Sequence, residues 1–170
     1  MLSLILALAA TAAPAPADDP LAPARAGKVQ CIAPKTDTKK CMAIASFTMK
    51  SGDAYDAVVT TMIAPTPLIV METRTSGTVE NGQVCGVVRK EEYAASTFKM
   101  DGTAMDPAMA EGVKGELLAA VGPMDGKKAC STDKPEGDVI VSTVTLDGTP
   151  HPELTQRFIW VDPAEYSVGQ

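Results

Sequence analysis

The sequence has few aromatic residues, a single histidine, little positive charge and no long apolar run. Three Phe, three Tyr and one Trp in 170 residues argue against a sugar-binding cleft built on aromatic platforms. No apolar run reaches the roughly 18 residues that a membrane-spanning helix requires. Fifteen Lys and Arg stand against 21 Asp and Glu, which gives a net charge of −6. Because nucleic-acid sites need clustered basic residues, this composition excludes nucleic acid as a partner.

Recognisable catalytic motifs are also absent. There is no G-x-S-x-G elbow and no phosphate-binding loop. A Ser-His-Asp arrangement would have to use His151, which lies between two prolines and is predicted to be a solvated loop residue. No catalytic, cofactor-binding or metal-binding residue is therefore assigned. The enzyme alternative is a hydrolase without a recognisable motif, whose site would gather groups such as His151, Arg157, Asp162 and Glu165.

The amino-terminal segment is typical of an export signal. Leu2 to Ala13 consists of Leu, Ile, Ala, Ser and Thr, about the length of a signal-peptide hydrophobic region. Ala15-Pro16-Ala17 provides small residues for cleavage, so residues 1–17 are predicted to be a signal peptide, although no basic residue precedes the apolar run. The alternatives are cleavage after Ala24 and a buried amino-terminal helix. A bacterial-type export signal predicts a periplasmic or secreted protein.

The predicted mature chain has two parts. Residues 18–27 are rich in Pro and Ala without periodicity and are predicted to form a flexible linker. Residues 28–170 are long enough for one domain.

Four cysteines follow the predicted signal: Cys31, Cys41, Cys85 and Cys130. An even number behind an export signal is typical of structural disulfides. Of the three pairings we favour Cys31–Cys41 and Cys85–Cys130, partly because each pair is close in sequence. The spacings lack C-x-x-C and only one His is present, which argues against zinc or a reactive thiol. We predict a disulfide-stapled domain without a cofactor.

Most of the domain is predicted to be β-structure. Val- and Thr-rich segments such as Tyr55 to Ala64 favour strands, and Asn81-Gly82, Asp101-Gly102 and Asp147-Gly148 are hairpin turn signals. One helix is predicted over about 106–121, with Asp106 as its cap and Pro107 at its first position. The sequence therefore predicts a β-rich α+β fold: a mostly antiparallel sheet or sandwich with one amphipathic helix.

The buried face of that helix is assigned from four residues that recur every fourth position, Met109, Val113, Leu117 and Val121, and Ala110 and Leu118 widen it.

Two segments of the sequence resemble each other and suggest an internal duplication. Ser96 to Thr103 matches Ser142 to Thr149 at five of eight positions, at an offset of 46. Cys85 and Cys130 are separated by 45 residues, so the repeated unit would be a β unit of about 45 residues. The alternative is that two hairpins use the same turn chemistry independently.

Asp133, Glu136 and Asp138 form an acidic cluster around a Pro and a Gly. We predict a solvated acidic turn, and a weak calcium site is the alternative.

These observations predict an exported, non-catalytic protein that binds an unidentified protein or envelope partner. A narrower alternative is an acidic inhibitor of a basic secreted enzyme such as a lysozyme or a protease, which net charge, small size and disulfides would suit. A third alternative is a subunit of a surface assembly, which would need an unpaired strand edge or an exposed apolar patch. The run Leu68 to Met71 is the first candidate for such a surface.

Overall fold

The computed structural model describes residues 19–170, so the predicted signal peptide lies outside the described residues. The strands are β1 (Val29–Ile32), β2 (Lys40–Cys41), β3 (Ala43–Met49), β4 (Ala54–Pro65), β5 (Leu68–Glu80), β6 (Gln83–Val87), β7 (Thr97–Met100), β8 (Thr103–Ala104), β9 (Lys128–Glu136), β10 (Val139–Leu146), β11 (Thr149–Pro150), β12 (Gln156–Val161) and β13 (Ser167–Val168). The helices are α1 (Ala22–Arg25), α2 (Lys90–Ala94) and α3 (Pro107–Val121). None of the helices between residues 19 and 170 has the length and apolar character needed to cross a membrane.

Eight strands form a closed ring. The order around it is β4, β3, β1, β12, β10, β9, β6 and β5, and β5 pairs with β4 to complete the circle. Every neighbouring pair in this ring is antiparallel. The predicted β-rich, mostly antiparallel α+β fold is therefore confirmed, and its sheet is one closed layer.

The Asn-Gly and Asp-Gly signals make the predicted turns. Asn81-Gly82 connects β5 to β6, Asp101-Gly102 connects β7 to β8, and Asp147-Gly148 connects β10 to β11. All six residues have positive φ, which two-residue type I′ turns require and which Asn, Asp and Gly tolerate best.

Both favoured disulfides are present. Cys31 and Cys41 have Cα atoms 5.3 Å apart, and they pack outside the ring with Val29 and Val161. Cys85 and Cys130 are direct register partners on β6 and β9, with Cα atoms 4.1 Å apart. The second bond therefore joins two adjacent strands of the ring.

Helix α3 begins as predicted. The Asp106 carboxylate accepts hydrogen bonds from the backbone N–H groups of Ala108 and Met109, at 2.9 and 3.4 Å. The helix packs against a cluster of Met71, Phe98 and Met105 through Ala110, Val113 and Leu117. The assignment of Met109 to the buried face is wrong. Its side chain is 51% exposed, because the contact face is centred on Ala110, one position and about 100° further around the helix.

The segment predicted to be a flexible linker is packed instead. From residue 19 onward it turns into α1, and Leu21 is fully buried in a cluster with Ala24, Tyr55 and Ala57. The prediction failed because it considered the Pro and Ala content and not the one large apolar side chain. We call the end of the ring that this segment covers the plug end.

The two similar segments adopt the same local geometry. In each, the turn Asp exchanges backbone and side-chain hydrogen bonds with the first residue of a neighbouring strand, Asp101 with Leu68 and Asp147 with Lys128. The structural counterpart of β9 is therefore β5, which begins 60 residues earlier. Cys85 lies on β6, so the two cysteines do not occupy equivalent positions, and the structure does not bear out the unit of about 45 residues.

Candidate functional site

The ring has an interior, and alternating residues of every strand face it. One cavity of about 260 Å³ is lined by residues from all eight strands, taken at every second position: Gln30, Ile32, Ala45, Phe47, Tyr55, Ala57, Val59, Thr75, Val84, Ser131, Ser142, Val144, Gln156 and Phe158. Side chains of one strand that share a cavity two residues apart must point to the same face of the sheet. We call this space the interior cavity.

The interior is unusually polar for a core. Ser142 and Gln30 are buried there with 7% and 9% of their surface exposed. Tyr55 lies over Gly77 of the adjacent strand β5 and donates a hydrogen bond from its hydroxyl to the Cys85 carbonyl oxygen of β6 at 3.0 Å. Burial and, less strongly, the nearby Glu92 carboxylate raise the pKa of Tyr55 to about 12.

A second and larger cavity opens at the plug end, with a volume of about 800 Å³. It lies between the amino-terminal segment, the β5–β6 turn and the ends of β9, β10 and β12, and we call it the mouth cavity. Its lining residues are Asp19, Pro20, Pro23, Asn81, Gly82, Asp133, Pro135, Ile140 and Trp160.

Asp133 is the residue of the mouth cavity whose environment is hardest to explain by folding alone. It is the register partner of Ser142, and its Oδ1 atom is buried without a hydrogen-bond partner. Burial raises the pKa of the Asp133 carboxyl above its usual range, and hydrogen bonding by the Ser142 side chain opposes this shift. Because buried polar atoms are nearly always paired in proteins, this orphaned carboxylate oxygen is a feature that packing alone does not explain.

Asp19, the other carboxyl of the mouth cavity, is fully engaged. It accepts hydrogen bonds from the Leu21 backbone N–H at 3.0 Å and from Arg25 Nε at 2.7 Å. These contacts hold the start of α1 in place, so Asp19 has a structural role that Asp133 lacks.

Trp160 forms the aromatic wall of the mouth cavity and is fixed by two neighbours. Its ring meets Phe158 edge-on, with centroids 5.8 Å apart, and it lies 6.1 Å from the ring of Phe47. Both contacts are within the range of favourable aromatic pairs. The indole is thus held in one orientation before any ligand arrives.

The polar groups named for the hydrolase alternative do not meet. Each is engaged in a separate pair on the surface: His151 with Glu153 at 2.7 Å, Arg157 with Glu136 at 2.6 Å, Asp162 with Lys28 at 3.5 Å and Glu165 with Lys39 at 3.7 Å. A common catalytic centre for these four groups is therefore not formed.

The acidic turn also differs from its prediction. Glu136 and Asp138 are exposed, but Asp133 lies on β9 and points into the mouth cavity. Within residues 19–170, no group of three or more His, Cys, Asp or Glu side chains could hold a metal ion, so the calcium alternative is not supported there. The signal that was missed is strand alternation: Ser131 and Asp133 are two residues apart, and both face inward.

The run Leu68 to Met71, which was the candidate surface for an assembly, pairs with a strand on each side. In the run Leu68 to Met71, Ile69 pairs with Ala64 of β4 on one side and with Met100 of β7 on the other. This run therefore offers no unpaired strand edge.

Comparisons with protein-family models, with curated proteins and with solved structures find no match to this chain. The roles of its residues therefore follow from geometry and chemistry alone.

Proposed function

We propose that this chain is an exported, non-catalytic binding protein that holds a small ligand in the mouth cavity. The observation that carries the proposal is the carboxylate of Asp133, a residue that lines a cavity of about 800 Å³ and whose Oδ1 atom is buried without a hydrogen-bond partner. Ligand sites are typically concave, mostly apolar and supplied with a few well-placed polar groups. The lining prolines, Ile140 and Trp160 provide the apolar part, and Asp133 provides the polar group.

The carboxyl chemistry of the cavity supports binding over catalysis. Catalysis of the glycosidase type uses two carboxyl groups in complementary roles. Asp19 is occupied by the Leu21 backbone and by Arg25, which leaves Asp133 as the one carboxyl of this lining with an open position.

Export is the second part of the proposal. Two disulfides in a small domain are compatible with an oxidising compartment, in agreement with the predicted signal peptide. Cleavage after Ala17 would retain Leu21, which is fully buried at the plug end, whereas cleavage after Ala24 would remove it. We therefore propose a mature chain that begins at Asp18, in the periplasm or outside the cell.

Native mass spectrometry of the full chain exported to a bacterial periplasm tests both parts. We expect a mature mass that starts at Asp18 and a non-covalent adduct of a few hundred daltons that dissociates on collisional activation. The variant Ile140→Trp fills the mouth cavity and should lose the adduct. Thr143→Trp places the same side chain at an exposed position of the same strand and should retain it.

Circular dichroism of both variants checks that each one folds. An uncleaved chain would overturn the export proposal. A wild-type protein that carries no adduct, and whose melting temperature is unchanged by a small-molecule extract of the periplasm, would overturn the binding proposal.

A further inference from the structure

We propose that the ligand of the mouth cavity is a protonated amine with an apolar body. This inference rests on the proposed function and deepens it by naming the chemical class of the ligand. It follows from three features of the cavity: the sign of its charge, the Asp133 carboxylate and the indole ring of Trp160.

The charge of the cavity lining is negative. Its nine lining residues include the carboxyls Asp19 and Asp133 and no Lys or Arg. Arg25 pairs with the lining carboxylate of Asp19 at 2.7 Å and offsets its charge, and Lys28 pairs with Asp162 at 3.5 Å. The negative charge that a ligand meets is therefore that of Asp133. A carboxylate or phosphate ligand would therefore meet like charge without a counter-ion, whereas a cation would meet opposite charge.

Asp133 supplies the carboxylate with which an ammonium group in the cavity would pair. An ionised carboxylate accepts hydrogen bonds and donates none, so the ligand must supply the donor. The N–H of a protonated amine in the cavity would donate to the Asp133 carboxylate, and its positive charge would also offset the negative charge that burial disfavours. A neutral hydroxyl would do only the first, and charge-assisted hydrogen bonds are roughly twice as strong as neutral ones.

Trp160 suits the same ligand. Cations are attracted to the face of an aromatic ring, and indole is the best of the natural side chains for this contact. The ring of Trp160 is held by Phe158 and Phe47, so little freedom is lost when a ligand binds. The remaining lining of Pro20, Pro23, Pro135 and Ile140 provides contact for an alkyl or aryl body.

The counterpart of Asp133 elsewhere in the fold shows that the carboxylate is not required by the architecture. β5 and β9 occupy equivalent positions, and the residue of β5 that matches Asp133 is Thr73. Its hydroxyl lies 2.7 Å from that of Ser96, the counterpart of Ser142. A neutral Thr thus fills this position where no ligand is expected, and Asp133→Thr is the matched variant for removing the counter-ion.

The test uses three six-carbon probes that differ only in their polar group: hexylamine, hexan-1-ol and hexanoate. Each is titrated into the full mature chain at pH 7, and binding is followed by calorimetry and by the fluorescence of Trp160, the only tryptophan. We expect hexylamine to bind at least tenfold more tightly than hexan-1-ol, and hexanoate to bind most weakly.

The variants assign this preference to Asp133. Asp133→Thr should reduce the affinity for hexylamine at least tenfold and leave that for hexan-1-ol within about twofold. Asp138→Asn removes one negative charge from an exposed position near the same end of the ring and should change neither affinity by more than about twofold, because exposed charges are screened.

Each outcome is decisive. Equal affinity for the amine and the alcohol in the wild type, with Trp160 fluorescence changing for both, would overturn the amine inference and leave the proposed binding function standing. An amine preference that survives in Asp133→Thr would also overturn it. Failure of all three probes, together with no adduct in native mass spectrometry, would overturn the inference and the proposed function at once.

Discussion

Two pairs of side chains occupy equivalent positions in this fold and differ in one respect. Thr73 on β5 meets Ser96 at the start of β7, and Asp133 on β9 faces Ser142 on β10. The first pair is buried and closed, with hydroxyl oxygens 2.7 Å apart. The second pair places a carboxylate where the first has a hydroxyl, and one oxygen of that carboxylate has no partner.

This difference indicates that the fold does not require a carboxylate at the position of Asp133. In both pairs the strand that contains or follows the serine ends in an Asp-Gly turn, and each turn is tied in the same way to the first residue of the strand that carries the other member of the pair. If the architecture needed a carboxylate at this position, both copies would be expected to carry one. Asp133 therefore has a cost that folding does not explain, and a ligand would explain it.

The two pairs keep their geometry only if the strands of the closed ring stay closely packed. The largest expected loss of stability therefore comes from a substitution that disturbs this packing. At Gly77 of β5, an added Cβ would overlap the Cys85 carbonyl oxygen and the phenol of Tyr55. Because the Cys85 oxygen belongs to the backbone and the Tyr55 phenol is hydrogen-bonded to it, Gly77→Ala should lower the free energy of unfolding by about 3–5 kcal/mol. Urea unfolding followed by circular dichroism measures this loss.

Gly112 provides the matched control. It lies inside α3 with nothing within 4 Å of an added Cβ, so Gly112→Ala should stabilise the protein by about 0.5–1 kcal/mol. Equal effects of the two substitutions would mean that β5 and β6 do not approach each other as closely as described.

A smaller loss of unfolding free energy is expected when Thr73, of the pair with Ser96, is replaced by the carboxylate that the other pair carries. Thr73 is 3% exposed and Ser96 is 6% exposed, so Thr73→Asp places a carboxylate in a site without room for a cation. We expect a loss of about 2–3 kcal/mol at pH 7. Thr73→Ser keeps the hydroxyl and serves as the control. A Thr73→Asp variant as stable as the wild type would remove the contrast between the two pairs.

The sequence predicted the features that local chemistry determines. The Asn-Gly and Asp-Gly turns require positive φ, the Asp106 cap and Pro107 define the start of α3, and nearness in sequence favoured the two disulfides that form. Closure of the ring was not predicted, because the pairing of β1 with β12 and of β6 with β9 depends on register between segments that are distant in the sequence.

The candidate site was missed for a related reason. Asp133 was grouped with Glu136 and Asp138 because they are close in sequence. However, β9 extends as far as Glu136, so Asp133 lines the mouth cavity while Glu136 and Asp138 are exposed to solvent. The plug was missed because Leu21 is a single apolar residue among prolines and alanines. Hydrophobic periodicity cannot detect one buried side chain, since a period needs at least two.

The central claim is that Asp133 serves a ligand and not the fold, and the unfolding free energy of Asp133→Thr as a function of pH tests it most directly. Because burial raises the pKa of this carboxyl in the folded state, ionisation of Asp133 costs stability. The variant should therefore be more stable than the wild type at pH 7, by up to about 1 kcal/mol since the group is partly solvated. The gain should shrink as the pH falls through the raised pKa and should vanish below the unfolded-state value of 3.8.

Asp138→Asn, at an exposed position, should show no such pH-dependent gain. A stabilised Asp133→Thr variant, with the gain confined to the higher pH range, is the result that this account predicts. A variant that loses more than about 1 kcal/mol at pH 7 would show that the Asp133 carboxylate holds the fold together, and this would contradict the account.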